Sequence, residues 1–271
     1  MESKTEKCII NRLQSAGCVF AEDETRLLMS EAQTPEELKK MVEMRAHGLP
    51  LEYVVGYAEF CGLRIEVDRG VFVPRQRTEF LVHQAKDLSC FGDIVVDLCC
   101  GSGAVGVALV EALGRVELYS VDIDPVAVRC ASRNVTNFGG HVFEGDLYNA
   151  LPHSLKGRVN TLVANVPYVP TKVIKLLPQE ARLHEPKIAL DGGENGLHIQ
   201  RRVAKEAFLW LAPGGHLLIE TSEMQATQTF EIFADAGLTP KVARDGEIDA
   251  TVVIGVNSRF YHKLVRSLIH K

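Results

Sequence analysis

Three aspartates recur at the ends of short β-branched runs, and a fourth such run leads into an asparagine. Asp97 stands in Val95-Val96-Asp97-Leu98, Asp122 follows Val116–Val121, and Asp146 follows His141–Phe143 in Glu144-Gly145-Asp146-Leu147. Between the first two lies Cys99-Cys100-Gly101-Ser102-Gly103-Ala104-Val105-Gly106, which ends a strand and opens a helix. Gly101 and Gly103 carry no β-carbon, so the backbone there can turn sharply and approach a ligand closely. The spacing Gly101-x-Gly103-x-x-Gly106, with Asp122 where a ribose-binding acid belongs, is also the fingerprint of a nicotinamide dinucleotide site.

The other acids favour a different cofactor. Asp97, just before the turn, would repel a pyrophosphate but attract the cationic amino-acid end of S-adenosylmethionine, directly or through water. Asp146 can accept a hydrogen bond from an adenine amino group while Leu147 covers the ring. Leu98 and Cys99 lead into the glycines, and Ile123 follows the ribose-binding Asp122, so all three join the expected cofactor site. An aspartate after a strand is usually a turn or helix cap, so it is the joint spacing that carries this reading.

The fourth run, Val159–Ala164, passes directly into Asn165-Val166-Pro167-Tyr168. An amide nitrogen is a poor nucleophile because its lone pair is delocalised. A catalyst must hold it in line with the methyl–sulfur bond and stabilise the charge that develops on it. The side-chain oxygen of Asn165 can accept one N–H and the carbonyl of Val166 the other, since a residue before proline is held extended. Tyr168 can cover a planar acceptor above Pro167. Taken alone, the segment is also an ordinary strand exit with prolines as breakers.

The elements that must hold these residues can be read from periodicity. Ile94–Leu98, Val116–Val121, His141–Phe143, Thr161–Ala164, His216–Ile219 and Thr251–Gly255 read as strands; Ala104–Leu113, Pro125–Asn137, Leu197–Leu211 and Ser222–Ala236 read as helices. Such alternation predicts an α/β fold with a mostly parallel sheet covered on both faces and ligands at the carboxyl ends of its strands. Upstream, apolar residues at helical spacing and the start signal Thr34-Pro35-Glu36-Glu37 predict a helical domain over residues 1–50. A β-hairpin linker follows over 51–75, then the main domain over 76–258, and 259–271 forms a basic amphipathic tail.

Beyond the acceptor motif itself, the chain resembles the HemK-type protein-(glutamine-N5) methyltransferases over nearly its whole length. The resemblance is carried by Glu52-Tyr53-Val54-Val55-Gly56, Glu59-Phe60, Pro74-Arg75-Gln76-Arg77-Thr78-Glu79, Asp97-Leu98 with Gly101-Ser102-Gly103, Asp122, Asp146, Asn165–Tyr168, and Glu185-Pro186-Lys187-Ile188-Ala189-Leu190-Asp191-Gly192-Gly193 with Gly196-Leu197. It implies a class I S-adenosylmethionine-dependent fold, Rossmann-like with a mostly parallel seven-stranded sheet. It further implies that Arg75, Thr78 and Glu79 help close the cofactor pocket, that S-adenosylhomocysteine is the product, and that the partner is a protein with an exposed glutamine loop, as in the Gly-Gly-Gln loop of peptide chain release factors. Three positions depart from the family: Cys99 and Val166 replace its usual Gly and Pro, and Arg77 replaces an acid. Loss of the glycine at Cys99 is expected to be tolerated through a negative φ there.

DNA and RNA amino methyltransferases share the Asn-x-Pro-Tyr motif, so base methylation is the alternative reading. A net charge of −5 argues against stable nucleic-acid binding. Seven cysteines without a C-x-x-C pair, histidines without ligand spacing, a charged amino terminus and short apolar runs predict a cytoplasmic chain without metal or membrane span.

Overall fold

The computed structural model describes residues 4–258; the predicted tail, 259–271, lies outside the described residues. Four helices open the chain: α1 (Lys4–Ser15), α2 (Ala21–Glu31), α3 (Pro35–Ala46) and the short α4 (Leu51–Val55). Ile9, Leu13, Leu28, Met41 and Val42 meet in a core of their own. Helix α3 starts where Thr34 Oγ1 accepts the Glu37 N–H at 3.1 Å while the Glu37 carboxylate accepts the Gln33 N–H at 2.8 Å, which satisfies two otherwise orphaned donors.

The hairpin β1 (Tyr57–Phe60) and β2 (Leu63–Glu66) turns through Cys61 and Gly62, both at positive φ, as a two-residue hairpin turn requires. Phe60 and Ile65 are buried against the main domain.

Seven strands form the sheet: β3 (Ile94–Leu98), β4 (Glu117–Asp122), β5 (His141–Glu144), β6 (Val159–Ala164), β7 (Leu211–Thr221), β8 (Thr239–Asp245) and β9 (Ala250–Val256), in the order β5-β4-β3-β6-β7-β9-β8. All pairings from β5 to β7 are parallel, and β9 runs antiparallel to β7 and β8. Successive side chains of a strand point to opposite faces, so Val95, Val163 and Leu218 meet α5 (Glu79–Lys86) and α6 (Ala104–Leu113). On the other face Val96, Leu162 and Leu217 meet α10 (His198–Trp210). Helix α7 (Pro125–Thr136) follows β4, and α11 (Ala226–Asp235) follows β7. Periodicity passes over β8, because this edge strand carries Pro240, Lys241 and Arg244 in a half-buried pattern rather than an apolar run.

The connection from β6 to α10 is long and holds a 3-10 turn (Ile174–Leu176) and two short α-helices, α8 (Gln179–His184) and α9 (Lys187–Leu190). Among the described residues no helix is long and apolar enough to cross a membrane.

Candidate functional site

The strand order reverses between β3 and its neighbours, and crevices open at such points. Leu98 pairs with Ala164, so the glycine loop after β3 and the Asn165 loop after β6 emerge side by side. They open into a cavity of about 770 Å³. Arg75, Thr78, Asp97, Cys99, Gly101, Asp122, Ile123, Asp146, Leu147, Asn165, Val166, Pro167 and Tyr168 all line it.

Three residues expected there sit elsewhere. Leu98 is fully buried in the core below the sheet end, since its side chain alternates away from the crevice. Gly103, at φ +80°, faces α7, where a β-carbon would stand 2.6 Å from Val135 Cγ2; its glycine serves helix packing rather than ligand approach. Glu79 accepts the Cys61 N–H at 2.8 Å and so fastens the hairpin turn.

The cofactor end is built on carboxylates tied to backbone. Asp122 accepts the Gly101 N–H at 2.8 Å through one oxygen and the Asp124 N–H at 2.9 Å through the other, which holds the glycine loop against the end of β4. Burial raises its carboxyl above the ordinary range. Asp97 is 2 % exposed and accepts the Gly106 N–H at 3.0 Å. Burial is the main cause that pushes its carboxyl up to about 7; the Gly106 N–H opposes this and Asp122 adds to it. Asp146 pairs with Arg202 of α10 at 2.6 Å, a partner that periodicity does not single out. Ile123 projects into the mouth 48 % exposed, and Leu147 is held at positive φ against the wall.

Cys99 takes φ +57°, not the negative value expected of it. The turn out of β3 needs the left-handed region at this residue, and the small thiol side chain accepts it at a cost. Burial holds the Cys99 thiol well above its ordinary range, so it is a neutral wall group.

At the acceptor end, Asn165 Nδ2 donates to Thr78 Oγ1 at 3.3 Å, which commits the amide nitrogen and leaves Asn165 Oδ1 as the free end. Neither that oxygen nor the Val166 carbonyl receives a hydrogen bond among the described residues. Val166 itself is buried in the core, so its side chain anchors the loop. The Tyr168 hydroxyl accepts from Arg77 at 2.7 Å and donates to Glu220 at 3.2 Å. Glu220 is buried at the end of β7, and burial raises its carboxyl.

Gln225 braces the same loop by donating to the carbonyls of Tyr168 and Asn195, and a β-carbon at Gly196 would collide with both the Tyr168 carbonyl and the Gln225 amide. Glu220 and Gln225 escape a motif search because neither lies in a glycine-rich or proline-rich segment. Their one signal is a polar side chain at the exit of the apolar run Leu217-Leu218-Ile219.

The wall beyond the acceptor loop is fixed by two ion pairs. Arg75 donates to Glu185 at 2.5 Å, and Glu185 also accepts the Val73 N–H. Arg45 of α3 is held by Glu24 and reaches across to Glu180 of α8 at 2.6 Å, which docks the helical domain against the cavity wall.

A family model described as the methyltransferase small domain matches residues 63–193. The chain is 37 % identical over 208 residues to the release factor glutamine methyltransferase of Geobacter sulfurreducens, covering 75 % of this chain and 72 % of the relative. It is 33 % identical to a 4-amino-L-phenylalanine/4-methylamino-L-phenylalanine methyltransferase of Streptomyces pristinaespiralis, over 75 % and 71 % of the two chains. Among solved structures, a methyltransferase from Pyrococcus furiosus superposes with a TM-score of 0.55 at 16 % identity, covering 72 % of this chain and 89 % of that one, a likeness of fold. The fold is that of the class I methyltransferases.

Proposed function

The chain belongs to the release factor glutamine methyltransferase family, and from that premise we propose that it methylates the side-chain amide nitrogen of a glutamine in the Gly-Gly-Gln loop of a peptide chain release factor, with S-adenosylmethionine as donor. The observation that carries the reading is the pair of free acceptor oxygens, Asn165 Oδ1 and the Val166 carbonyl, at one end of the cavity. A primary amide offers two N–H groups in one plane, and two oxygens on adjacent residues match them.

The residues at the other end fit S-adenosylmethionine. Asp97, Asp122 and Asp146 surround a cavity flanked by the exposed Ile123 and by Leu147, a set suited to a cationic nucleoside with an apolar ring. A β-carbon built at Gly101 meets no atom within 4 Å, so the loop leaves open space on the ligand side. Asp122 and Asp146 would hold ribose and adenine, and Asp97 the amino-acid end. Bound there, the group supplies an electrophilic methyl on sulfur.

The protein's own part is to orient and to stabilise. Asn165 Oδ1 and the Val166 carbonyl hold the amide with its nitrogen facing the cofactor end. They strengthen their hold as positive charge develops on nitrogen, before one N–H proton is released to water. Thr78 fixes which end of Asn165 is presented. Tyr168, locked between Arg77 and Glu220, sets the wall against which the planar amide lies.

A second reading, methylation of a small aromatic amine, is favoured by the relative from Streptomyces pristinaespiralis, because an aryl amine also presents two N–H groups. The test is transfer of labelled methyl from S-adenosylmethionine to an intact release factor, to the same protein with Gln→Ala in its Gly-Gly-Gln loop, and to 4-amino-L-phenylalanine. Label in the first alone supports the proposal. Equal label in the first two, or label in the amine alone, overturns it.

A further inference from the structure

Over residues 171–190 of the connection between the acceptor loop and α10, both acids are paired with arginines from outside the segment while three cations are left free among the described residues. Its two central acids are held by arginines: half-exposed Glu180 by Arg45 at 2.6 Å and buried Glu185 by Arg75 at 2.5 Å. Lys172, Lys175 and Arg182 are exposed and make no ion pair among the described residues. Interleaved with them, Leu176 is 74 % exposed, Leu183 58 % and Ile188 52 %. A chain of net charge −5 thus shows a cationic and apolar strip at one place. That place is the cavity mouth, since Ile188 and the neighbouring Leu177 and Pro178 line the cavity.

Large apolar side chains left in water beside an opening need a reason, and burial against a partner supplies one. We propose that this strip is a docking surface for the acceptor protein, taking a face that carries acidic side chains around an apolar patch next to the glutamine loop. The proposal rests on the reading that the acceptor is a protein. A protein face removes Leu176 and Leu183 from water and pairs with the lysines; a phosphate backbone does only the second, and the acidic balance elsewhere repels it. The ion pairs to Arg45 and Arg75 take up both acids, so the strip shows three free cations where it would otherwise carry a net charge of one. Arg45 also ties the strip to the helical domain, so both domains present a single face to the acceptor.

The double variant Lys172→Glu/Lys175→Glu and the single variant Leu176→Ser change only exposed side chains. Methylation of an intact release factor is measured against that of a short Gly-Gly-Gln peptide that cannot reach the strip. Expected for both variants is a KM for the intact protein raised ~10-fold with kcat and cofactor affinity kept, and for the double variant a flatter salt dependence. The peptide reacts equally in wild type and variants. Unchanged KM in both variants, with an active wild type, overturns the docking surface. Loss of RNA binding in the double variant without loss of methylation would assign the strip to a polynucleotide and overturn it too. A wild type that labels no release factor removes the functional reading first, and the docking surface with it.

Discussion

Arg77 donates to the hydroxyl of Tyr168 at 2.7 Å, and the same hydroxyl donates on to Glu220 at 3.2 Å. A base at position 77, where the resembled family carries an acid, therefore balances a carboxylate that is 2 % exposed. The guanidinium Nε also lies 3.6 Å from Glu220. Removing the cation leaves a buried acid beside the acceptor loop, and removing the hydroxyl leaves both charges without their bridge.

Arg77→Met and Tyr168→Phe should each lower kcat, and the double variant should lose less than the sum, with a coupling of about 1–2 kcal/mol. Cofactor affinity is expected to hold. Additive losses in a double-mutant cycle would show that the two residues act independently. Arg77→Lys should restore part of the rate, because an ammonium keeps the charge without the planar fork.

The alternation of strands and helices was readable because β3, β6 and β9 are buried on both faces and announce themselves as apolar runs. Edge strand β8 was not, because half its residues face water. Within the site, Asp97, Asp122, Asp146 and Asn165 stand out at strand ends, where a charged or amide side chain interrupts an apolar pattern. Their contacts are a different matter: Arg202 reaches Asp146 from 56 positions away and Glu220 meets Tyr168 across 52. Spacing cannot encode pairings that only the closed sheet brings together. Gly103 looked like a ligand glycine because the fingerprint does not distinguish approach to a ligand from approach to α7.

The raised carboxyl of Asp97 gives the cofactor site a pH dependence of fixed sign. Its pKa is about 7 in the folded chain and ~3.9 unfolded, so the folded state binds more protons between those values and this group's contribution to stability falls as pH rises across that window. Asp97→Asn removes the slope. Relative to wild type, the variant should gain stability from pH 4 to 7, by up to about 4 kcal/mol, read from urea unfolding at several pH values. A cationic ligand favours the ionised acid, so S-adenosylmethionine affinity should rise with pH up to about 7 and then level off, with proton release on binding below that point. A pH-independent affinity in wild type would remove Asp97 from contact with the cationic end.

Position 99 should respond to backbone preference rather than to thiol chemistry. Cys99 sits at φ +57°, where an L-residue costs ~1–2 kcal/mol that glycine does not. Against this, glycine loses ~0.5–1 kcal/mol through the unfolded chain. Cys99→Gly is therefore expected to raise stability by about 0.5–1 kcal/mol. Cys99→Val, branched at the β-carbon, should lower it by more than that. Equal melting temperatures for all three proteins would mean that the turn relaxes to negative φ when the residue allows it.

The acceptor loop makes the sharpest division between binding and turnover. Asn165→Ala deletes the oxygen that would receive one amide N–H, and loss of one oriented group at a reacting centre typically costs ~10²–10³ in rate. Cofactor affinity should stay near wild type, because the carboxylates that would hold the cofactor are tied to Gly101, Gly106 and Arg202 rather than to Asn165. Val166→Pro is the contrasting change. It keeps the carbonyl and stiffens the loop, while the smaller ring leaves part of a buried site unfilled, at ~1 kcal/mol of stability. Turnover should therefore survive in Val166→Pro with a slightly lower melting temperature and collapse in Asn165→Ala with an unchanged one. Single-turnover methylation at saturating cofactor reads both. An active Asn165→Ala enzyme would move the acceptor contact to other oxygens, and an inactive but folded Val166→Pro enzyme would show that the loop must flex to receive the amide.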